Sequence, residues 1–349
     1  MTRQATRSPS TRLIFGLSAL LGVGLVSAVL YYSQSCGPLV WTCQQNRAGD
    51  HAVSGLTEQT RLIEAIYQET QAIQNEELAK VKPTDFTQGL AILSADGNNW
   101  RLKYIWDYFL PAYNCPLKEK IGIDRQLGDN GKWLCGVRTL LKKDHCVVYS
   151  FGSNGETTFE QDLLRNTKCD VHVFDPTLSP EVQKQVSSIK GVTLHNYGLG
   201  ITDGMIELSD SRQNMNKGYT AFPVKTLGTI MKELKHDWVD VMKVDIEGAE
   251  WGFLADLVAK RLPLPFTQLQ VEYHYFHKSN ITVPRKMLDV LKGLTARDMR
   301  VFNVEPNYWW ANWAHEFMEF AYVQVNKYGE IVTGPQAAPR KFAGTQSSF

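Results

Sequence analysis

Two features that are common in other proteins are missing from this sequence, and each absence excludes a class of protein. Six cysteines are present, but no two of them form a CxxC pair, the spacing that zinc ribbons and thioredoxin-like sites usually need. Charge of one sign is not in excess, because 37 Lys and Arg stand against 36 Asp and Glu. Nucleic-acid binding requires a basic surface, so we predict no nucleic-acid partner.

The longest apolar run lies near the N-terminus, from Leu13 to Leu30, and is followed by two tyrosines. A helix of about 20 apolar residues spans the hydrocarbon core of a membrane. Arginines are frequent before the run and rare just after it, which places the N-terminus in the cytoplasm. We therefore predict a cytoplasmic tail over 1–12, a signal anchor over 13–32, and a luminal or extracellular catalytic domain. A cleaved signal peptide and a secreted protein remain the alternative.

Two further features fit that placement. An even number of cysteines fits disulfides in an oxidising compartment, although buried thiols fit almost as well. The sequence does not determine which cysteines pair with each other. Asn280-Ile281-Thr282 is an N-glycosylation tripeptide. The cysteines are Cys36, Cys43, Cys115, Cys135, Cys146 and Cys169.

The chain between the anchor and the main domain divides into two parts. Residues 33–85 combine a polar linker with a helical stem that Pro83 ends. Its apolar residues fall near a heptad seam, which predicts either a weak homodimer through the stem or a helix that packs on the main domain or lies exposed. Residues 86–138 are rich in aromatic side chains and predict a cap, and 331–349 predict a flexible tail. The seam residues are Leu56, Ile63, Ile66 and Ile73.

From Cys146 onward, buried strands alternate with helices, which is typical of an α/β domain with a mostly parallel sheet. Seven strands are predicted, and the last two close a hairpin. This arrangement resembles the class I methyltransferase architecture, so we predict a Rossmann-like, seven-stranded sheet with helices on both faces over 139–330. The predicted strands are 146–151, 171–174, 192–197, 239–244, 269–274, 299–304 and 317–325.

The first predicted strand ends in a glycine turn, Gly152-Ser153-Asn154-Gly155. Glycine lets a backbone turn sharply and approach a ligand closely. Asp175 ends the second strand about 20 residues later, where a carboxylate can accept hydrogen bonds from the ribose of an adenosine cofactor. Gly198, which ends the third strand, completes the predicted cofactor-binding set. The turn lacks the GxGxxG spacing of most dinucleotide dehydrogenases, so a nucleotide-dependent oxidoreductase is only a rival interpretation.

Three segments resemble known methyltransferases. Lys243-Val244-Asp245-Ile246-Glu247-Gly248-Ala249-Glu250 resembles the signature of the FkbM-type family, and 148–155 and 128–135 resemble the methyltransferase-like protein 24 family. The resemblance implies an S-adenosylmethionine-dependent methyltransferase, O-directed, with the glycine turn and Asp175 holding the cofactor. Its acceptor would be a small molecule, a glycan or a protein. The alternative is a catalytically inactive, membrane-anchored scaffold, since a fold does not guarantee a function.

The catalytic candidates lie at the ends of the fourth and fifth strands, where open α/β sheets bind ligands. Asp245 and Glu247 could orient a hydroxyl acceptor or remove its proton. The plainer interpretation is that Glu247 fixes a turn and Glu250 favours the helix N-terminus. His274 shares one face of its strand with Glu272 and could act as a base. With Asp245 it could also hold a divalent metal, but we predict no metal site.

Overall fold

The structure is a computed structural model in which the N-terminal tail and predicted anchor, 1–32, lie outside the described residues. In the part of the chain that is described, no helix is both long and apolar enough to cross a membrane. Most of the linker and most of the C-terminal tail also lie outside that part. The described residues are 58–59, 61–73, 75–76, 111, 113–122, 131–208, 220–260, 262–274, 283–307 and 317–335.

The described part of the chain contains strands and helices in alternation. The helices are α1 (61–73), α2 (Thr158–Asn166), α3 (Pro180–Ser187), α4 (Leu227–Leu234), α5 (Glu250–Ala259) and α6 (Val283–Thr295). The strands are β1 (Lys118–Ile121), β2 (Lys132–Cys135), β3 (Val147–Phe151), β4 (Asp170–Phe174), β5 (Val192–His195), β6 (Gly198–Leu199), β7 (Gly204–Leu208), β8 (Thr220–Lys225), β9 (Val239–Val244), β10 (Phe266–His274), β11 (Met299–Pro306) and β12 (Phe317–Gln324).

Seven strands form the main sheet in the order β11-β12-β10-β9-β3-β4-β5. The strands from β10 to β5 are parallel to their neighbours. The exception is β12, which runs antiparallel to both β10 and β11. These seven strands are those predicted from the sequence, within a few residues at each end. The Rossmann-like, mostly parallel sheet is therefore confirmed.

Helices cover both faces of this sheet, as predicted. Every residue of β9 and β10 is buried, as expected for parallel strands with a covered face on each side. One apolar cluster joins the sheet to α2 and α3 through Leu163 and Val186. The opposite cluster joins it to α4, α5 and α6 through Ile230, Leu254 and Leu291. The carboxyl ends of β3, β4, β9 and β10 stay at one edge between these layers.

The stretch predicted as a hairpin-like excursion, 201–208, belongs to a second, small sheet. β7 pairs antiparallel with β8, and β6 pairs parallel with β8. The segment therefore leaves the main sheet after β5 and returns to it through α4.

The stem helix α1 packs on the main domain through one side only. Tyr67 is buried, and the guanidinium of Arg300 lies 4.0 Å from the centre of its ring. Arg300 also donates a hydrogen bond to Glu64 over 3.0 Å. The predicted seam residues Ile63, Ile66 and Ile73 remain 41% to 56% exposed. Packing on the domain is thus observed for this helix, whereas dimerisation through its exposed side stays a prediction.

Two antiparallel cap strands, β1 and β2, lie against the β10, β11 and β12 end of the sheet. Polar pairs make much of this contact. Lys118 donates to Asn303 over 2.9 Å, and Lys120 forms a buried ion pair with Glu305 over 2.7 Å. The cap predicted over 86–138 therefore packs on the main domain in its described portion.

Two disulfides are present among the described residues. Cys115 is bonded to Cys135, and Cys146 is bonded to Cys169. The first ties the cap strand β2 to the segment before β1. The second joins the starts of the neighbouring strands β3 and β4. Disulfides, the favoured sequence alternative, are thus present for four cysteines; Cys36 and Cys43 lie outside the described residues.

Candidate functional site

The glycine turn after β3 requires its glycines. Gly152 and Gly155 have φ values of +75° and +79°, in the left-handed region that disfavours other residues. A Cβ on Gly152 would lie 1.7 Å from the carbonyl oxygen of Asp245. A Cβ on Gly155 would lie 2.4 Å from Val182. The turn is therefore held in direct contact with the loop that follows β9.

Asp175 braces this turn from the end of β4. Its Oδ2 accepts hydrogen bonds from the backbone N–H groups of Ser153 and Asn154 over 2.9 and 2.8 Å. Its Oδ1 accepts from the backbone and hydroxyl of Thr177 over 3.0 and 2.6 Å. A carboxylate offers about four lone-pair sites, and these internal donors use most of them. Ribose binding by Asp175 stays a prediction, while its role in shaping the turn is observed.

Gly198 lies beside the segment that follows Asp175. A Cβ there would lie 3.5 Å from the side chains of Pro176 and Val224, which is ordinary contact. Packing therefore does not require a glycine at this position. The role of Gly198 in cofactor binding stays a prediction.

Two buried oxygen atoms after the glycine turn have no hydrogen-bond partner among the described residues. They are Thr158 Oγ1 and Glu160 Oε2, both in the first turn of α2. The other oxygen of Glu160 accepts from Ser150 Oγ over 2.5 Å, and burial raises the pKa of Glu160. Buried polar atoms normally find partners. A polar ligand at the glycine turn would supply them, so the residues present fit an adenosylmethionine-type cofactor.

The acidic loop after β9 is joined to the glycine turn by a lysine. Lys243 Nζ donates to the Gly152 carbonyl over 2.7 Å and lies 3.4 Å from Asp245 Oδ2. The Asp245 side chain is 22% exposed and that of Glu247 is 46% exposed. Glu247 has φ +56°, an unusual value for a residue other than glycine. The loop therefore presents two carboxylates next to the glycine turn.

His274 lies beneath these carboxylates at the end of β10. Its Nδ1 lies 3.1 Å from Glu250 Oε1, and its Nε2 lies 3.5 Å from Glu247 and 3.9 Å from Asp245. Burial opposes charge on the ring, but the carboxyl groups of Glu250, Glu272 and Asp245 together outweigh it and raise the pKa of His274 to about 10. At neutral pH the ring is thus protonated, so the geometry favours an orienting charge over a general base.

Glu250 fixes this histidine from the start of α5. Its Oε1 also accepts the backbone N–H of His274 over 2.8 Å, and its Oε2 accepts the N–H of Gly248 over 2.9 Å. The Glu250 side chain is fully buried. It therefore connects the acidic loop to the end of β10, a role beyond the helix-terminus charge that the sequence suggested.

A buried cation, Lys132 of the cap strand β2, stands among the carboxylates. Its ammonium lies 3.5 Å from Asp245 and 3.4 Å from Glu272, and it forms an ion pair with Glu319. Glu272 also accepts a hydrogen bond from Asn307 over 2.9 Å. Lys132 lies in the segment 128–135 that carries a family resemblance, but the sequence does not reveal its contacts, since the cap is distant from β9, β10 and β12 along the chain.

These contacts fix the charge states of the two central carboxyl groups. Burial opposes ionisation of Asp245, but the cations of Lys243 and Lys132 hold its pKa well below the ordinary value. Burial raises the pKa of Glu272 well above its ordinary value, and the neighbouring Asp245 carboxylate adds to that effect. Asp245 is therefore the ionised member of the pair at neutral pH.

Asp245, Glu272 and His274 could by their spacing hold a metal ion, because one ligand atom from each lies within 4.8 Å of the others. The ammonium of Lys132 already contacts two of these groups. A buried lysine supplies compensating charge of the kind that a metal would bring, so these residues fit a charge network, and the absence of a metal site stays a prediction.

The structure brings the predicted site residues into two adjoining groups. Gly152, Ser153, Asn154, Gly155 and Asp175 form one group, and Asp245, Glu247 and His274 form the other. Lys243 joins the two. Sequence reasoning missed Lys132 as a site residue, and it treated Lys243 only as part of a family signature.

Comparisons with known proteins identify the family of this chain. A family model described as a methyltransferase domain matches residues 65–324. The human protein described as probable methyltransferase-like protein 24 is 25% identical over 169 residues, covering 47% of this chain and 43% of that protein. Its Rattus norvegicus counterpart is 26% identical over 174 residues, covering 48% and 45%. The matched segment therefore spans less than half the length of these relatives.

Solved structures show weaker likeness. The fibrillarin pre-rRNA processing protein of Methanococcus jannaschii has a TM-score of 0.32 and 10% identity, covering 62% of this chain and 86% of that one. The 1,6-didemethyltoxoflavin-N1-methyltransferase of Burkholderia thailandensis has a TM-score of 0.29 and 12% identity, covering 52% and 71%. Structural likeness of this degree does not indicate a function for this chain.

Proposed function

This chain belongs to the methyltransferase-domain family, and we propose that it transfers a methyl group from S-adenosylmethionine to a hydroxyl oxygen of its acceptor. One observation carries the proposal. The glycine turn after β3 and the carboxylate loop after β9 are in contact at one edge of the sheet, and Lys243 binds both. A cofactor seated on the turn thus has a partly exposed, ionised carboxylate beside it.

Different residues of this chain would bind the cofactor, orient the acceptor and accept its proton. S-adenosylmethionine, when bound, supplies an electrophilic methyl group on a sulfonium. Residues 152–155 would hold the cofactor through their backbone, together with the unpartnered oxygens of Thr158 and Glu160. Asp245 would accept a hydrogen bond from the acceptor hydroxyl and orient its lone pair, since positioning is the main requirement of a displacement. Glu247, which is more exposed than Asp245, would receive the proton that the hydroxyl loses.

Ligand binding to the full-length protein tests cofactor use. We expect calorimetry to show binding of S-adenosylmethionine and S-adenosylhomocysteine but not of NAD. Gly152→Ala should abolish this binding, because its Cβ would clash with the backbone of Asp245. Gly228→Ala is the matched control, since a Cβ there meets nothing within 4 Å. Absence of S-adenosylhomocysteine binding would favour the inactive scaffold, and NAD binding would favour the oxidoreductase.

The oxygen preference needs a separate measurement. We expect the protein, given ¹³C-methyl S-adenosylmethionine and a cell extract, to yield a labelled product whose carbon shift is that of an O-methyl group. Glu247→Gln should lower the rate of labelling, because the carboxylate that receives the proton is lost. A product with the carbon shift of an N-methyl group would contradict the oxygen assignment without affecting the cofactor assignment.

A further inference from the structure

A buried lysine from outside the main sheet reaches the acidic loop. Lys132 lies on the cap strand β2, and its side chain is only 2% exposed. Its ammonium contacts Asp245 directly after β9, Glu272 on β10 and Glu319 on β12. One cation thus joins carboxyl groups from three neighbouring strands.

We propose that Lys132 is a positioning residue for methyl transfer, which holds Asp245 as an oriented carboxylate facing the sulfonium of the cofactor. This inference rests on the proposed function, because it needs the cofactor at the glycine turn. The distance supports it, since Gly152 of that turn already touches the backbone of Asp245. The cap thereby adds a second ammonium beside Asp245, next to that of Lys243 on β9.

The physical reason is the cost of burying charge. Buried carboxylates without a compensating cation become protonated, because a low-dielectric surrounding disfavours the charged form. Glu272 and Glu319 lie within the same buried group as Asp245. Two other cationic groups face Asp245, Lys243 at 3.4 Å and His274 at 3.9 Å. Without Lys132 the three carboxyl groups would share only these two charges, and Asp245 would take up a proton more readily. A neutral Asp245 would attract the sulfonium less.

The cap strand keeps the ammonium in place. Gln268 on β10 accepts a hydrogen bond from the N–H of Cys135 over 2.7 Å and donates one to its carbonyl over 2.9 Å. Cys135, three residues after Lys132, is also bonded to Cys115. The Gln268 hydrogen bonds therefore hold β2 against the sheet, the disulfide ties it to the segment before β1, and both limit where the ammonium can move.

The test compares a cationic with a neutral ligand on the full-length protein. S-adenosylmethionine carries the sulfonium charge and S-adenosylhomocysteine does not, so the ratio of their affinities reports on Asp245. We expect Lys132→Met to lower the preference for S-adenosylmethionine by about tenfold, the size typical of a charge-assisted contact. The preference of this variant should rise again with pH, as Asp245 regains its charge. A purely structural role would not produce that pH dependence.

Two variants serve as comparisons. Lys132→Arg keeps the charge and should restore most of the preference. Lys120→Met is the matched control, because it removes another buried cation of the cap, the one paired with Glu305, and should leave the ratio unchanged. If Lys132→Met does not fold, Lys132→Gln, which retains a hydrogen-bond donor, takes its place with the same expected ratio.

The possible results separate the two proposals. Equal weakening of both ligands in Lys132→Met, or an unchanged ratio, would overturn the role of Lys132 and leave the proposed function standing. A wild-type protein that binds neither ligand would overturn the proposed function itself. A ratio that falls in Lys132→Met and is restored in Lys132→Arg is the result we expect.

Discussion

Asp175 illustrates at the scale of one residue how a sequence position can be predicted correctly while its contacts are not. The sequence placed it at the carboxyl end of the second strand, and it lies directly after β4. Its oxygens, however, bind the N–H groups of the glycine turn and of Thr177. Hydrogen-bond partners depend on how the turn folds back, which no spacing in the sequence reveals.

Replacing Asp175 therefore affects stability as well as binding. We expect Asp175→Ala to lower the free energy of unfolding by about 3 kcal/mol, because three backbone N–H donors, one buried and two part-buried, lose a charged acceptor. Urea denaturation measures this change. Thr177→Val, which removes one hydroxyl from the same carboxylate, should cost about 1 kcal/mol. Equal stability of Asp175→Ala and the wild type would contradict the bracing role.

A cluster of histidines makes the fold sensitive to acid. Burial lowers the pKa of His172 to about 4, and the neighbouring His195 and His236 add to the effect, with Asp170 opposing it. The folded protein thus keeps His172 neutral at a pH where the unfolded chain, near 6.5, is already protonated. The resulting stability is present above about pH 6.5 and is lost as the pH falls toward 4.

This pH dependence can be isolated with one substitution. Between about pH 6.5 and pH 4, His172→Gln should lose about 2 kcal/mol less unfolding free energy than the wild type, after allowance for partial exposure. Gln is neutral throughout this range and can still hydrogen-bond to His195, which lies 3.0 Å from His172. Denaturation curves of both proteins at several pH values give the difference. Parallel pH profiles would show that His172 does not carry the effect.

At the scale of secondary-structure elements, the alternation of strands and helices was predictable from the sequence, whereas the docking of appended elements was not. The run that became β9 is mostly apolar, and the one that became β10 alternates apolar and polar residues from Leu269 to His274, so local pattern identifies them. The cap strand β2, K-W-L-C, carries a lysine that points into the protein. A lysine predicts an exposed position by default, and only its carboxylate neighbours make burial favourable.

The two disulfides close loops of similar length in different parts of the chain. The sequence separations are 20 residues for Cys115–Cys135 and 23 residues for Cys146–Cys169. We expect replacement of either pair by serine to lower the free energy of unfolding by about 3 kcal/mol, as loop-closure entropy predicts. Denaturation with and without a reducing agent measures the loss. A reducing agent that leaves wild-type stability unchanged would show that the bonds contribute little.

For the whole molecule, we propose that the catalytic domain lies on the luminal or extracellular side of a membrane. The two disulfides support this placement, because such bonds persist in oxidising compartments. The anchor itself, 13–32, lies outside the described residues. The placement also requires that S-adenosylmethionine made in the cytosol be imported.

Glycosylation tests this orientation. We expect the full-length protein expressed in animal cells to lose mass on treatment with an N-glycosidase, because the tripeptide at 280–282 would face the lumen. Asn280→Gln should remove that mass difference. A membrane-bound wild-type protein that is not glycosylated, with its C-terminal side accessible to protease from the cytosol, would reverse the orientation.

The sequence by itself determined the number and order of the main strands, the glycine turn and the acidic loop, because these follow from local apolar periodicity and from residues that few backbones tolerate. Only the tertiary structure decided which side chains meet. Lys132, Glu250 and Asp175 each acquired their contacts from segments far along the chain, or from a turn folding back. Their charge states depend on burial and on neighbours within a few ångströms, and these exist only once the sheet, helices and cap strands are assembled.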